Sequence, residues 1–544
     1  TYPDKVAGVT GTSANKSAVL SWTANSESNI SKYAVYQSTT NNFTPASSDS
    51  VGESTTNSYT ATGLTNKTAY YFRVKAINSS NQAGEFSDQV TVTPEYKGVG
   101  GWHVAVADSG GSSSGEGSLS SPMLYLSDAV TASASGDTII LGGGTHSYTS
   151  SSRLNISFDG SKSSLVIKGA GKDKTIIDAN QKHRHFRFYG QSGNIDTTFK
   201  IMDMTLKNGR PSSVNHGGSV YIDGYWDGSN NKGHGPLFQN VIFESNQTKW
   251  TTNDYNKRGG AVYAYRAHPS FRDVTFKNNL TDYQGGAVSI KNADTTKTII
   301  FERTNFTKNK ASQEKDERNS EGGAVYLGNT GKVIFESSVF DSNYVEMNGE
   351  CCNNYGGAIT SWNNYDSLIV RNSKFRYNKV YKPSSNNGGQ AYGGAIYHND
   401  GYENVLIENS LFEGNTAEAG YRTWTGGGDD NSAYGGAIYL DVEHRSSNNT
   451  YLYPHSSVLT NNTFVNNKAL GSGSDRGRGG AVHFEWANKA ILFNNIFYGN
   501  RVNNPNDSDS LRAHIIYGYN DSNSEMYLGY NNFDKGVDLS LIHI

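Results

Sequence analysis

Gly393-Gly394-Ala395-Ile396 and, further on, Phe412-Glu413-Gly414-Asn415 are the two phrases from which most of this chain is written. The first phrase, Gly-Gly-[Ala/Ser]-[Val/Ile], begins at Gly217, Gly259, Gly285, Gly322, Gly356, Gly393, Gly435 and Gly479. The second, Phe-x-x-Asn, begins at Phe243, Phe276, Phe306, Phe340, Phe375, Phe412, Phe464 and Phe497, and the two alternate without a break. Neighbouring copies lie between 30 residues (Phe276 to Phe306) and 52 residues (Phe412 to Phe464) apart. A recurrence that is elastic in length but fixed in wording predicts a solenoid whose coils carry loops of variable size.

Side chains alternate along a strand, so each copy can be read by parity. With the first Gly as n, position n+3 is always Val or Ile, and n+5 is mostly apolar (Ile222, Ile290, Leu327, Leu440, Phe484), so both face the interior. Position n+4 then faces outward. It is Tyr in most copies (Tyr221, Tyr263, Tyr326, Tyr397, Tyr439), and this face is expected to meet solvent. Around the second phrase, the residue five before Phe is apolar throughout, from Phe238 to Leu492. The residue three before it is Asn at 240, 372, 409, 461 and 494, a residue that tolerates the left-handed backbone of turns. The Phe column is expected to stack inside the coil at about 4.8 Å per step. The Asn that closes the phrase is expected to serve as a turn or ladder residue.

At 544 residues the chain is too long for one compact core, so several domains or an elongated repeat are required. Only 35% of residues are hydrophobic, yet aromatics reach 12%, with 35 Tyr; that separates the chain from disordered sequences and leaves rings over for surfaces. The net charge of −3, with both signs interspersed, gives no nucleic-acid footprint. No apolar run is long enough to cross a membrane as a helix, and direct membrane insertion is not expected. The only cysteines, Cys351 and Cys352, are adjacent. They exclude a disulfide framework and a Cys-based zinc site, and leave open a vicinal disulfide or two thiols.

Residues 1–95 read as a separate β-sandwich, with short alternating runs such as Ala18-Val-Leu-Ser-Trp22 and Tyr33-Ala-Val-Tyr36 spaced by polar turns. The run Leu64-Thr-Asn-Lys-Thr-Ala-Tyr70-Tyr71-Phe72-Arg73-Val74-Lys75-Ala76 resembles the E–F corner and F strand of a fibronectin type III module. Trp22 matches that family's buried Trp and Tyr70 its corner Tyr. The resemblance implies a spacer or binding module of extracellular type, without a catalytic role. Residues 96–100 read as a linker.

From Gly101 the wording changes. Ser121-Pro122 can open a helix whose apolar side is Leu126, Ala129, Val130 and Ala132, with Gly136 just past its end. Asp137-Thr-Ile-Ile-Leu141 then reads as a strand. This order resembles the start of secreted right-handed parallel β-helix proteins, where such a helix covers the first coil. The alternating phrases over 217–500 resemble the repeats of the chlamydial polymorphic outer-membrane proteins. Together these resemblances imply an all-β chain: a sandwich over 1–95, then a right-handed parallel β-helix over 101–538 with a short N-terminal capping helix. They also imply a secreted or cell-surface location. The last residues, Leu539-Ser-Leu-Ile-His-Ile544, resemble a translated sequencing adapter, so 539–544 is set aside and the natural chain is expected to continue past Asp538.

Few residues carry the pattern a catalyst needs. Of the adjacent acidic pairs Asp316-Glu317 and Asp429-Asp430, only the second lies in a Gly-rich loop able to wrap a cation, so Asp429 and Asp430 are the calcium candidates. Gly233-His234-Gly235 is similar to one polygalacturonase motif. The closely spaced Asp motifs that would supply acid and base are missing, so a loop histidine between turn glycines is the expected role. No catalytic residue or cofactor is assigned. A polysaccharide lyase or glycoside hydrolase is the alternative reading, and a structural spacer a third.

The aromatics are the better lead. Loop segments between each Asn and the next Gly-Gly leave the coil at one corner, are expected to project together, and carry Trp250, Tyr255, Tyr283, Tyr344, Tyr381, Tyr421 and Trp424. Tyr355, Tyr392 and Tyr434 immediately precede Gly-Gly in successive coils and are expected to stack as a column. The segment residues, together with Tyr263, Tyr326, Tyr397 and Tyr439, are the candidate ligand contacts of a secreted or cell-surface binding protein. Its partner would be a polysaccharide, a cell-surface glycan or a protein.

Overall fold

The structure, a computed structural model, describes all residues except 190–194, 212–215, 227–230, 249–256, 314–318, 348–351, 364, 384–388, 400–403, 421–430, 443–455, 473–476, 488, 504–514, 518–524 and 535–544. The chain divides into two compact units, Thr1–Leu124 and Tyr125–Ile544.

In the first unit the strands β1 (Thr10–Ala14), β2 (Ser17–Ser21) and β5 (Ser58–Thr62) form one sheet. A second sheet runs β4 (Ser50–Ser54), β3 (Ile30–Ser38), β6 (Tyr70–Asn78) and β7 (Val90–Val92). Every pairing is antiparallel. Strict alternation in β6 turns Tyr70, Phe72, Val74 and Ala76 into the core. Trp22 is buried there, edge-on to Tyr33 with ring centres 5.2 Å apart. The Tyr70 hydroxyl accepts a hydrogen bond from the Thr65 N–H at 3.0 Å, the contact that fixes the corner of such sandwiches.

The strand Trp102–Val104 falls in this first unit, and the Met123 N–H donates to His103 O at 2.9 Å. That bond holds the stretch around Pro122 in bridge pairing, so Ser121-Pro122 does not open the helix as expected. The helix α1 runs instead from Leu126 to Ala132 and buries Leu126, Ala129 and Val130. The strand expected next is present as Thr138–Leu141.

One coil explains the second unit. After Gly356 come the strands Ile359–Trp362, Ser367–Arg371, Lys374–Arg376 and Lys379–Lys382, and the short strand Ala391–Tyr392 leads into Gly393. Each pairs in parallel with its counterpart in the next coil, as in Ile359 with Ile396, Val370 with Ile407, Phe375 with Phe412 and Val380 with Ala417. The result is a parallel β-helix, wound in the right-handed sense that parallel crossovers almost always take. Its bends are single left-handed residues. The Asn column three before Phe has φ between 51 and 57° (Asn409 and Asn461 at the extremes), as the turn reading requires. The two glycines serve different needs: Gly393 has a φ of 63°, whereas a Cβ on Gly394 would lie 2.0 Å from Gly436 O of the next coil.

Inside, the Phe column stacks from Phe243 to Phe533. Ring centres are 4.6 Å apart for Phe340 and Phe375 and 5.0 Å for Phe276 and Phe306, close to the expected step. The n+3 and n+5 positions are fully buried, including His398 at n+5. The closing Asn residues form a continuous buried ladder from Asn246 to Asn500. From Asn279 onward each Nδ2 also donates back to a Phe carbonyl of the preceding coil, as in Asn378 to Phe340, while Asn246 donates to Leu206 O. The ladder answers the demand that buried backbone groups find partners at a corner where the strand pattern is interrupted.

One expectation is corrected. The n+4 tyrosines point out of the coil, but apart from the half-exposed Tyr221 they do not meet solvent: Tyr263, Tyr326 and Tyr439 are 5% exposed and Tyr397 3%. The Gly-Gly corner is sharp, so the short strands before it (Asn354–Tyr355, Ala391–Tyr392, Ala433–Tyr434) fold over the n+4 face. Parity assigns the side of the strand. It says nothing of what covers that side.

Candidate functional site

The covered corner is the most organised surface feature of the solenoid. Three columns meet there: the residue before Gly-Gly, the n+4 residue and the n+6 residue, each repeated once per coil at roughly 4.8 Å. Tyr355, Tyr392 and Tyr434 stack as expected, with ring centres 5.1 and 5.0 Å apart and planes within 14°. Tyr397 stacks on Tyr439 at 5.1 Å, and Tyr439 on His483 at 5.2 Å. The columns interlock: Tyr355 lies 4.5 Å from Tyr397, and Trp362 lies 5.1 Å from Tyr397. Tyr355, Tyr397 and Tyr439 form the buried floor, while Trp362, Tyr392 and Tyr434 remain half exposed above it.

Upstream, the column before Gly-Gly is polar. Arg258 Nε donates to Gln284 Oε1 at 2.7 Å, and Gln284 Nε2 donates to Glu321 Oε2 at 3.0 Å. Glu321 is 4% exposed, and burial, opposed by that hydrogen bond, pushes its carboxyl up to about 7. Burial likewise holds the Tyr326 phenol well above its ordinary value. Downstream, His483 Nε2 donates to Glu485 Oε2 at 2.6 Å, and Asn399 Nδ2 donates to Asp441 Oδ2 at 2.9 Å. Burial lowers the His483 pKa against the pull of Glu485, so the ring is neutral at rest.

Of the residues expected to contact a ligand, Tyr397 and Tyr439 belong to this floor, and Tyr263 and Tyr326 to its upstream continuation. Tyr283 is buried beside the Arg258 guanidinium at 5.1 Å. Tyr344 and Tyr381 are corrected from loop to strand: they lie in Tyr344–Met347 and Lys379–Lys382, on a separate sheet. There they take cations from Lys310 and Lys379 at 5.0 and 4.5 Å from the ring centres. Trp250, Tyr255, Tyr421 and Trp424 lie outside the described residues, as do the calcium candidates Asp429 and Asp430. His234 is buried and its Nδ1 accepts from the Ile195 N–H at 3.3 Å, a structural use. Cys352 is disulfide-bonded, and Cys351 is the chain's only other cysteine.

Sequence reasoning missed Trp362, Arg258, Gln284, Glu321 and Arg478, whose guanidinium lies 5.7 Å from the Tyr434 ring centre. The signal was available, because all stand in the columns before Gly-Gly or at n+6. Half-exposed flat rings over a rigid aromatic floor, edged by amide and carboxylate groups, are suited to hold sugar rings by stacking and hydrogen bonding.

Comparison with known proteins divides along the same lines. The fibronectin type III domain model matches residues 4–93, and the Chlamydia polymorphic membrane protein repeat model matches residues 273–291 and 409–441. Among solved structures, an Fn3-like protein from Clostridium thermocellum is 21% identical over 17% of this chain and 95% of its own, with a TM-score of 0.15. The sixth fibronectin type III domain of human fibronectin type III domain containing protein 3 is 24% identical over 17% of this chain and 88% of its own, with a TM-score of 0.15. A titin fragment is 29% identical over 16% of this chain and 32% of its own, with a TM-score of 0.14. No curated protein matches the chain. Among the described residues, no helix is long and apolar enough to cross a membrane. The chain joins a fibronectin type III domain to polymorphic membrane protein repeats carried on a parallel-strand solenoid.

Proposed function

We propose that this is a surface-displayed or secreted glycan-binding protein whose solenoid corner holds a polysaccharide along its aromatic columns. One observation carries the reading: Trp362, Tyr392 and Tyr434 stand half exposed in successive coils over a buried Tyr floor. A flat ring is usually hidden or paired on both faces in a stable core. These three are pre-organised by stacking and keep part of their surface open, which reduces the ordering cost of binding. Asn399 and Asp441, on the strands that carry Tyr397 and Tyr439, offer donors and acceptors beside the rings. The polymorphic membrane protein repeats agree with a surface location.

Affinity electrophoresis through gels containing a panel of plant, microbial and animal polysaccharides tests the reading. At least one polymer is expected to retard the protein. Trp362→Ala and Tyr392→Ala should each weaken that retardation about tenfold, in line with aromatic hot spots worth about 1–2 kcal/mol. Tyr498→Ala, which removes an exposed ring elsewhere, should not. Absence of retardation by every polymer sinks the proposal.

A hydrolytic reading has one observation in its favour. Asp441 and Glu485 stand at n+6 of neighbouring coils beside the same rings, on paired parallel strands whose register shifts between Leu440 and Val442, and adjacent strands lie about 4.8 Å apart. Retaining glycosidases use two carboxyl groups about 5 Å apart. New reducing ends released from a bound polymer, and abolished by Glu485→Gln, would establish it; a polymer that stays intact leaves the binding role alone.

A further inference from the structure

The first coils of the corner differ from the rest in charge. Arg184 is 2% exposed, and its Nε and Nη2 have no hydrogen-bond partner among the described residues. Its guanidinium carbon sits 5.1 Å from the centre of the Tyr221 ring. Arg187, on the strand Phe186–Phe188 and in register with Tyr221 at n+4 of the next coil, is half exposed; its guanidinium lies 4.7 Å from the Tyr189 ring and 5.8 Å from the Tyr221 ring, and its Nε has no partner among the described residues. Arg266 stands two coils on, over Tyr265 at 5.0 Å. Asp223 is the carboxylate described beside them, and burial raises its pKa against the pull of the Tyr221 hydroxyl, Arg187 and Arg266.

Arginines on the long sheet on another side of the solenoid are arranged otherwise. Arg272 pairs with Glu302, Arg303 with Asp273, and Arg376 with Asp341, each across neighbouring coils. Neither Arg184 nor Arg187 forms such an ion pair among the described residues. A guanidinium buried without a counter-ion is strongly disfavoured, and burial has already pulled Arg184 down to about 10. Ring faces offset only part of that penalty. The arrangement leaves positive charge at one end of a corner whose other end is aromatic.

We infer that the Arg187 end of this corner is a subsite for an anionic group, carboxylate or sulfate ester, carried by the polysaccharide that the aromatic columns hold. The inference rests on the glycan-binding reading above. Arg187 is the contact residue, because its planar fork is accessible and matches the oxygens of either group. Arg184 is a positioning residue that raises the local potential and holds the Tyr221 ring against which both guanidinium groups rest. Trp362 is five coils from Arg187, roughly 24 Å at the sheet spacing, so a single sugar cannot span both and a polymer can.

The test uses the whole chain and two matched pairs of polymers: polygalacturonate with its carboxyl-reduced form, and dextran sulfate with dextran. At low salt the anionic member of at least one pair should bind tenfold or more tighter than its neutral twin, and the advantage should shrink as salt is added. Which pair shows it identifies carboxylate or sulfate. Arg187→Gln should remove the advantage and leave binding of the neutral twin unchanged, while Trp362→Ala should weaken both members. Arg184→Gln serves as a second probe, provided its melting curve matches that of the parent. Equal binding of both members overturns the anion subsite while leaving the glycan reading intact. An anionic advantage that survives Arg187→Gln also overturns it. Failure of every polymer to bind overturns the reading on which it rests.

Discussion

Asn378 Oδ1 accepts two hydrogen bonds from Asn343, one from its backbone N–H at 3.1 Å and one from its Nδ2 at 2.9 Å. The Nδ2 of Asn378 in turn donates to Phe340 O and to Asn415 Oδ1. Asn378→Ala therefore takes partners from buried donors and acceptors in the two flanking coils, and is expected to destabilise the solenoid by about 3 kcal/mol. Urea unfolding measures the total, and hydrogen exchange should show the Asn343 amide losing protection. A change under about 1 kcal/mol would mean that water replaces the ladder without penalty.

Gly394→Ala tests the close approach of coils. The added methyl would sit 2.0 Å from Gly436 O and 2.6 Å from the Thr416 nitrogen, both backbone atoms that cannot swing away. The neighbouring coils must separate locally, at a cost of about 3 kcal/mol or more. Because Gly394 lies between Tyr392 and Tyr397, polymer binding should fall along with the unfolding midpoint.

Glu321 gives stability a pH dependence of defined sign. Its folded pKa, about 7, lies above the ordinary 4.5 because burial disfavours the carboxylate. The folded state thus binds more protons than the unfolded state between those values, and stability falls as pH rises from about 4.5 to 7. The loss is on the order of 3 kcal/mol. Glu321→Gln keeps an acceptor for Gln284, and the mutant-minus-parent stability difference should grow across that window and level off above it.

His398 acts in the opposite direction. It is enclosed in the coil beside Ser361 Oγ at 3.1 Å, and burial lowers its pKa from 6.5 to about 4. The unfolded chain takes up a proton first, so this contribution is complete above pH 6.5 and is lost as pH falls towards 4. His398→Leu should flatten the acid limb by about 3 kcal/mol, read from unfolding curves at pH 7 and pH 4.

The inward columns are legible in the sequence because a rule of period two and a buried face leave little choice at Val325, Phe340 or Asn343. The left-handed bends were legible at Asn372 and Asn409 because Asn favours that conformation, but not at Arg303 or Tyr377, which adopt it under the dictate of their coil. The site was half legible. Tyr355, Tyr392 and Tyr434 could be placed as a column, yet the sharpness of the Gly-Gly corner decides that Tyr397 and Tyr439 are roofed over. That angle is a property of two strands together. The Ser121-Pro122 helix start failed for a similar reason: Met123 is committed to His103, a partner twenty residues earlier in the chain.

The Phe column also records how tolerant the design is of its own thread. Phe412 and Phe464 stack at 4.9 Å with 52 residues of chain between them, and Phe276 and Phe306 at 5.0 Å with 30. The pitch is blind to how far the thread wanders before returning. Excursions from the coil can be lengthened, shortened or exchanged like cassettes without resetting any neighbour's register, so a lineage can rewrite what it shows the outside while leaving its axle untouched.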